Sequence, residues 1–202
     1  MKLYGNTRVS NCRRVTIYLA MKGLDVEIED VDLAAGANRT AEFLAKNPAG
    51  QIPVLKLDDG STLPESSVIV EYLEERYPEP PMMGRTPEAR GKARVVERIA
   101  SDLSVLTPVL FQHSHPRFAT QLKQCPEAAE AVRPLVDKQL AVLEKHLGAN
   151  PYLAGDTPTV GDITLFALFQ FCRERLDAPF GKEYPGLDAW YERFSRLPGA
   201  LY

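Results

Sequence analysis

The chain has 202 residues, enough for one large domain or two small ones. With 45% apolar and 25% charged residues and a net charge of −3, it reads as an ordinary globular chain with no electrostatic case for nucleic acid or an anionic membrane. No apolar run approaches the ~20 residues of a membrane helix, the first residues lead into a strand with no signal-peptide pattern, and Cys12, Cys125 and Cys172 form neither a CxxC nor a zinc pattern, so a reducing cytoplasm is the simplest compartment.

Lys2-Leu3-Tyr4 predicts a short strand ended by Gly5-Asn6. Val15, Tyr18, Leu19 and Lys22 fall at helical spacing, with Gly23 as the C-terminal stop. Val26, Ile28 and Val31, mostly separated by acidic residues, predict a second strand. Thr40 can cap a short helix through Lys46. Pro48 and Gly50 then break the chain, and Val54, Leu55 and Leu57 start a strand. Pro53 stands at its first position, where a missing N–H is tolerated and where the X-Pro bond can be cis. Asp58-Asp59-Gly60 has the residues of a tight hairpin turn. Glu65-Ser66 opens a helix carrying Ile69, Tyr72, Leu73 and Arg76, whose free N–H groups and dipole would hold a carboxylate. Strands alternating with helices predict a parallel pair, and the hairpin adds an antiparallel edge.

Pro78-Glu79-Pro80-Pro81 is a linker. Beyond Pro87 only helical patterns remain. Val95, Ile99, Leu103, Leu106 and Leu110 form one stripe, in which Pro108 predicts a kink or break. Val136, Leu140, Leu143 and Leu147 form another. Residues 163–172 are apolar on nearly every side and predict a helix buried all round, and Leu187, Trp190, Tyr191 and Phe194 form the last stripe. Thr159 and Asp162 fit a short-chain capping box at the start of the buried helix, which gives Asp162 a structural role.

Asn47-Pro48-Ala49-Gly50-Gln51-Ile52-Pro53-Val54-Leu55, followed by Leu63-Pro64-Glu65-Ser66-Ser67-Val68-Ile69, resembles the glutathione-binding half of soluble glutathione transferases. The likeness is to a bacterial type with Ser or Asn rather than Tyr at the active-site turn, and it extends over essentially the whole chain. It implies an α+β, thioredoxin-like N-terminal domain (βαβαββα) at residues 1–77, a linker at 78–86 and an all-α C-terminal domain at 87–202. It also implies a cis peptide before Pro53, a homodimer, glutathione as co-substrate, and neither a further cofactor nor a metal.

The resemblance assigns the ligand site residue by residue. Ser66 would hold the γ-glutamyl carboxylate and Glu65 the amine. Ile52, ahead of Pro53, would pair through its backbone with the cysteinyl unit. Gln51 and Asn38 would approach the glycyl carboxylate. A pocket for a hydrophobic electrophile would be lined by Val9, Leu103, Leu106, Leu110 and Phe111. The reaction class requires a donor beside the glutathione sulfur, because the thiolate is the nucleophile. Here the chain departs from the family pattern: the usual catalytic position is Val9, which has no donor. Asn11 and Ser10 follow it, and an amide NH2 or a hydroxyl can stabilise a thiolate; otherwise both would only cap the helix.

The resulting expectation is a glutathione transferase, with peroxide reduction and disulfide exchange as variants. The alternative is a catalytically weak glutathione-binding module, favoured by Val9. Tyr4 reads as packing. Cys12 reads as a buried thiol, or else as one forming a mixed disulfide, its position at a helix start lowering its pKa. Arg13 and Arg14 read as a solvated or interface face. His113 and His115, two apart, do not share a helix face and read as polar rim.

Overall fold

The computed structural model describes residues 1–200. The chain divides into two compact units, one comprising Met1–Met82 and the stretch from Arg196 onward, the other Met83–Ser195.

The first unit runs β1 (Lys2–Gly5), α1 (Ser10–Lys22), β2 (Glu27–Asp30), a 3-10 turn at Ala37–Arg39, α2 (Ala41–Lys46), β3 (Val54–Lys56), β4 (Thr62–Pro64) and α3 (Ser66–Arg76). The sheet order is β2-β1-β3-β4, with β1 and β2 parallel and the other pairs antiparallel. This is the expected thioredoxin-like arrangement. Opposed residues share a face, so the registers Leu3↔Leu55 and Tyr4↔Val54 sort the core. Tyr4 and Val54 cluster with Val31 and Phe43 of α2, and the opposite face carries the fully buried Leu3 and Leu55. Tyr4 is thus a packing residue, as expected, with the Lys46 ammonium 5.2 Å from its ring centroid. Thr40 accepts from the Phe43 N–H and caps α2. Gly23 ends α1 in the left-handed region at φ 65°, which only glycine adopts freely. β2 is shorter than its apolar alternation predicted: Ile28 is exposed, and Val31 enters the core from beyond the strand.

The second unit is all helical: α4 (Pro87–Ser114), a 3-10 turn at Pro116–Phe118, α5 (Pro126–Leu147), α6 (Val160–Gln170) continuing into a π-turn at Phe171–Arg175, and α7 (Pro185–Phe194). Every residue of α6 is buried, as its all-round apolar sequence predicts. Phe166 of α6 packs against Trp190, Tyr191 and Phe194 of α7, with Tyr191 stacked at 4.8 Å between centroids. Gly161 fits because a Cβ there would fall 2.7 Å from Val96 Cγ1 on α4. Pro108 does not break α4, which is continuous through it. It lies on the exposed side, where a carbonyl deprived of its partner can turn to water. No helix among the described residues is long and apolar enough to cross a membrane.

Candidate active site at one end of the sheet

Strand register brings the candidate residues together. Tyr4 pairs with Val54 and Val54 with Pro64. One step further along the same register, Gly5 faces Pro53 and Pro53 faces Glu65. The close of β1, the entry to β3 and the entry to α3 therefore meet at one end of the sheet. A methyl group at Gly5 would lie 3.0 Å from Cys12 Sγ and 3.7 Å from Pro53 Cβ, so the first turn of α1 belongs to the same assembly.

At that turn Val9 is the N-cap of α1, extended at φ −108° and ψ 143°, and supplies no side-chain cap. Ser10 and Asn11 are the first two helical residues, so neither is the capping residue. Ser10 is half-buried and Asn11 exposed. Neither side chain makes a hydrogen bond among the described residues. The first α-helical bond here runs from Arg13 N–H to Val9 O, at 2.9 Å. The N–H groups of residues 10–12 therefore keep the donor capacity of a helix start.

Cys12 is 1% exposed and accepts only a long contact, 3.4 Å, from Asn6 N–H. Burial pushes its thiol up to about 12. Desolvation outweighs the lowering by the Asn6 N–H, so the thiol moves opposite to the direction expected from its position at a helix start.

The loop before Pro53 is held from two sides. Asn38 Nδ2 donates to Gly50 O at 2.7 Å, and the buried Asn47 donates through Nδ2 to Gln51 O at 2.8 Å. Asn47 Oδ1 also accepts from Ala49 N–H at 3.1 Å, closing an Asx turn. Gly50 adopts φ +62°, where a side chain would meet Asn38 O at 3.0 Å. The Ile52–Pro53 peptide is cis. Ile52 is half-buried against the Tyr4 cluster, and Gln51 is exposed. Asn38, expected to approach a ligand carboxylate, thus has one amide hydrogen committed to the loop. Asn47 carries no role in the motif reading, although an Asn preceding Pro-Ala-Gly is a turn signal.

Glu65 is the N-cap of α3 and holds φ 71°, a strained region for a residue with a side chain. The first bond of α3 is Ile69 N–H to Glu65 O at 2.9 Å, leaving the N–H groups of residues 66–68 ahead of it. Ser66 is 7% exposed at this start, and Glu65 is exposed.

The five expected pocket residues divide. Val9 belongs to the first unit and the other four to the helical unit. Leu103 is 0% exposed and Leu110 4% exposed. Leu110 and Phe111 line a cleft of about 210 Å³ within the helical unit, with Val136, Leu140 and Phe180; Leu106 is half-buried. The histidines serve local turns: His113 Nδ1 accepts from Cys125 N–H at 3.1 Å, and His115 Nδ1 from Arg117 N–H at 3.3 Å. Arg13 and Arg14 are not solvated; they are 5% and 6% exposed.

Residues 10–76 match the N-terminal domain of glutathione S-transferases, and residues 103–198 match their C-terminal domain. The chain belongs to the glutathione S-transferase family. It is 34% identical to the maleylacetoacetate isomerase of Pseudomonas aeruginosa over 94% of this chain and 86% of that protein. It is 33% identical to glutathione S-transferase 2 of Saccharomyces cerevisiae over 92% of this chain and 81% of that protein. Among solved structures, a glutathione S-transferase domain-containing protein from Marinobacter aquaeolei superposes with a TM-score of 0.85 at 33% identity, covering 100% of both chains. Family membership implies glutathione binding, and the relatives include both transferases and isomerases.

Proposed function

We propose that this chain binds glutathione along Gln51, Ile52 and Pro53, anchors its γ-glutamyl end at Glu65 and Ser66, and activates its thiol at the first turn of α1. The observation that carries this reading is the convergence at one end of the sheet of the Gly5–Cys12 turn, the braced Gly50–Pro53 loop and the α3 start. A tripeptide is extended enough to touch all three. Its carboxylate would meet the free N–H groups of α3, and its sulfur those of α1.

Chemistry then requires that the thiolate be favoured over the thiol. Asn11 Nδ2 or Ser10 Oγ donating to sulfur lowers the thiol pKa, as does the positive end of α1. The thiolate attacks an electrophilic carbon and a sulfur–carbon bond forms. Either a leaving group departs with its electron pair, or the conjugated double bond opens and the adjacent carbon takes up a proton. Val9 supplies no donor, so the task falls to the two residues after it.

The Pseudomonas relative favours a second reading on the same site, glutathione-dependent cis–trans isomerisation. There the thiolate adds to an activated double bond, the former double bond rotates, and the thiolate is expelled. Glutathione is consumed in conjugation and regenerated in isomerisation. The experiment combines calorimetric titration with glutathione and two assays, one on a generic aryl halide and one on maleylacetoacetate, with free thiol counted in each. Turnover with thiol loss supports conjugation, turnover without loss supports isomerisation, and binding with no turnover points to a binding module. In the active assay, Asn11→Ala should move the pH–rate profile up by about one unit, a tenfold loss at neutral pH. Unchanged profiles in both Asn11→Ala and Ser10→Ala overturn the assignment of the donor.

A further inference from the structure

After α7 the chain returns to the first unit, and it does so on the helix that carries Ser10 and Asn11. Arg13 donates through Nη2 to Gly199 O at 3.2 Å and to Ala200 O at 2.5 Å. Its Nη1 donates to Thr16 Oγ1 at 3.3 Å, and that hydroxyl donates to Arg13 O at 3.1 Å. Gly199 sits at φ +77° against the same helix, where a Cβ would fall 2.2 Å from Ala20 Cβ. Ala200 is 0% exposed. The segment is therefore pressed onto α1 at two points, by hydrogen bonds near its start and by close backbone approach two turns later.

A buried guanidinium is tolerated only where carbonyls or carboxylates meet its N–H groups. Here two carbonyls come from residues 186 and 187 positions away, beyond what the neighbouring sequence, which reads Arg13 as a solvated or interface face, can show. The start of α1 lacks what normally holds a helix end. Val9 gives no side-chain cap, and an uncapped first turn frays. Arg13 is the residue whose N–H closes the first helical bond, onto Val9 O. Fixing its side chain fixes that turn.

We propose that Arg13, seated on the carbonyls of Gly199 and Ala200, is a positioning residue: it stands in for the missing cap of α1 and holds the turn from which Ser10 and Asn11 approach the glutathione sulfur. This rests on the site assignment above. It makes the segment after α7 part of the thiol-activating machinery, although it touches no substrate.

The test uses the full chain with Arg13→Lys, which keeps the charge but cannot span both carbonyls and Thr16, and Gly199→Val, which unseats the segment from the other side. Glutathione affinity is measured by calorimetry, folding by circular dichroism, and the apparent pKa of the bound thiol by the pH–rate profile. Both variants should stay folded and bind glutathione near wild-type affinity. Both should raise the thiol pKa by about one unit, leaving roughly tenfold less thiolate at neutral pH. A wild-type pKa in either folded variant overturns the proposal. So does global unfolding of Arg13→Lys, which would make Arg13 a support of the whole unit. If wild-type protein binds no glutathione, the site assignment fails instead. Hydrogen exchange then decides the clamp: faster exchange at the Arg13 amide in Gly199→Val supports it, and unchanged exchange overturns it.

Discussion

Three cysteines of one chemical kind occupy two kinds of environment. Cys12 and Cys172 are buried and Cys125 is exposed. Burial pushes the Cys12 thiol up to about 12 and raises that of Cys172 as well. At pH 8 only about one Cys12 in ten thousand is then a thiolate, the form that attacks a disulfide or an alkylating agent. Oxidised glutathione or iodoacetamide at pH 8 should therefore add once to the native protein, at Cys125, and not at all to Cys125→Ser. Denaturation should expose the other two. An adduct on Cys12 in native protein, seen by intact mass and peptide mapping, would contradict this environment. The same shift has a sign for stability. Between the free thiol value of about 8.5 and about 12, the folded state holds a proton at Cys12 that the unfolded state has lost. Unfolding free energy therefore falls as pH rises through that window, and the midpoint in denaturant should fall with it.

Helix starts show how far sequence patterns reach. The pair Thr159 and Asp162 was legible as a capping box, and the box is present. Its carboxylate does more than the pattern contains. Asp162, 0% exposed, accepts from Thr159 N–H at 2.9 Å and Thr159 Oγ1 at 3.0 Å, and also from Leu153 N–H and Trp190 Nε1, both at 2.9 Å. Burial raises its pKa while these donors pull it down. Asp162→Ala removes the cap and strands the buried N–H groups of Leu153 and Trp190. The expected loss is about 3–5 kcal/mol, above the ~1 kcal/mol of a cap alone. A change of melting temperature no larger than an ordinary cap deletion would show that water replaces the carboxylate. Turns and caps are legible because their partners lie within a few residues: Thr40 with Phe43, Asp58-Asp59-Gly60, the Gly23 stop. Partners that lie far along the chain are not. Trp190 on Asp162 and Gly199 on Arg13 follow from packing, and the strained φ of Glu65 follows from a helix entry that must turn sharply off β4. At the site, the register between strands did the work that motif spacing could not.

Across the whole molecule, the chain passes between its two units at Met82–Met83 and again at Ser195–Arg196. The first crossing is fastened to the first unit by a buried cation. Lys22, its side chain 0% exposed, contacts Glu74 Oε2 at 2.6 Å and donates to Tyr77 O at 2.8 Å and Pro80 O at 2.5 Å. Glu74 in turn accepts from Tyr18 Oη at 2.5 Å and from Met82 N–H at 2.8 Å. The proline-rich stretch that reads as a linker is thus tied down on both sides by one ion pair. Glu74→Leu leaves the ammonium buried with only neutral partners, the two carbonyls and the Tyr18 ring, at an expected cost of about 3–5 kcal/mol. Lys22→Met leaves the carbonyls of Tyr77 and Pro80 unpaired and should cost about 1–3 kcal/mol for each carbonyl that water cannot reach. Because each single change strands the other's partners, the pair Lys22→Met/Glu74→Leu should cost less than the two added together, by roughly 0.5–3 kcal/mol. Urea unfolding measures the cycle, and limited trypsin digestion reports the linker through cleavage after Arg76 and Arg85. Faster cleavage in Glu74→Leu, slowed again in the double variant, is the expected pattern. Strict additivity with unaltered cleavage would mean that the stretch from Tyr77 to Met82 is held by its own backbone and not by the ion pair.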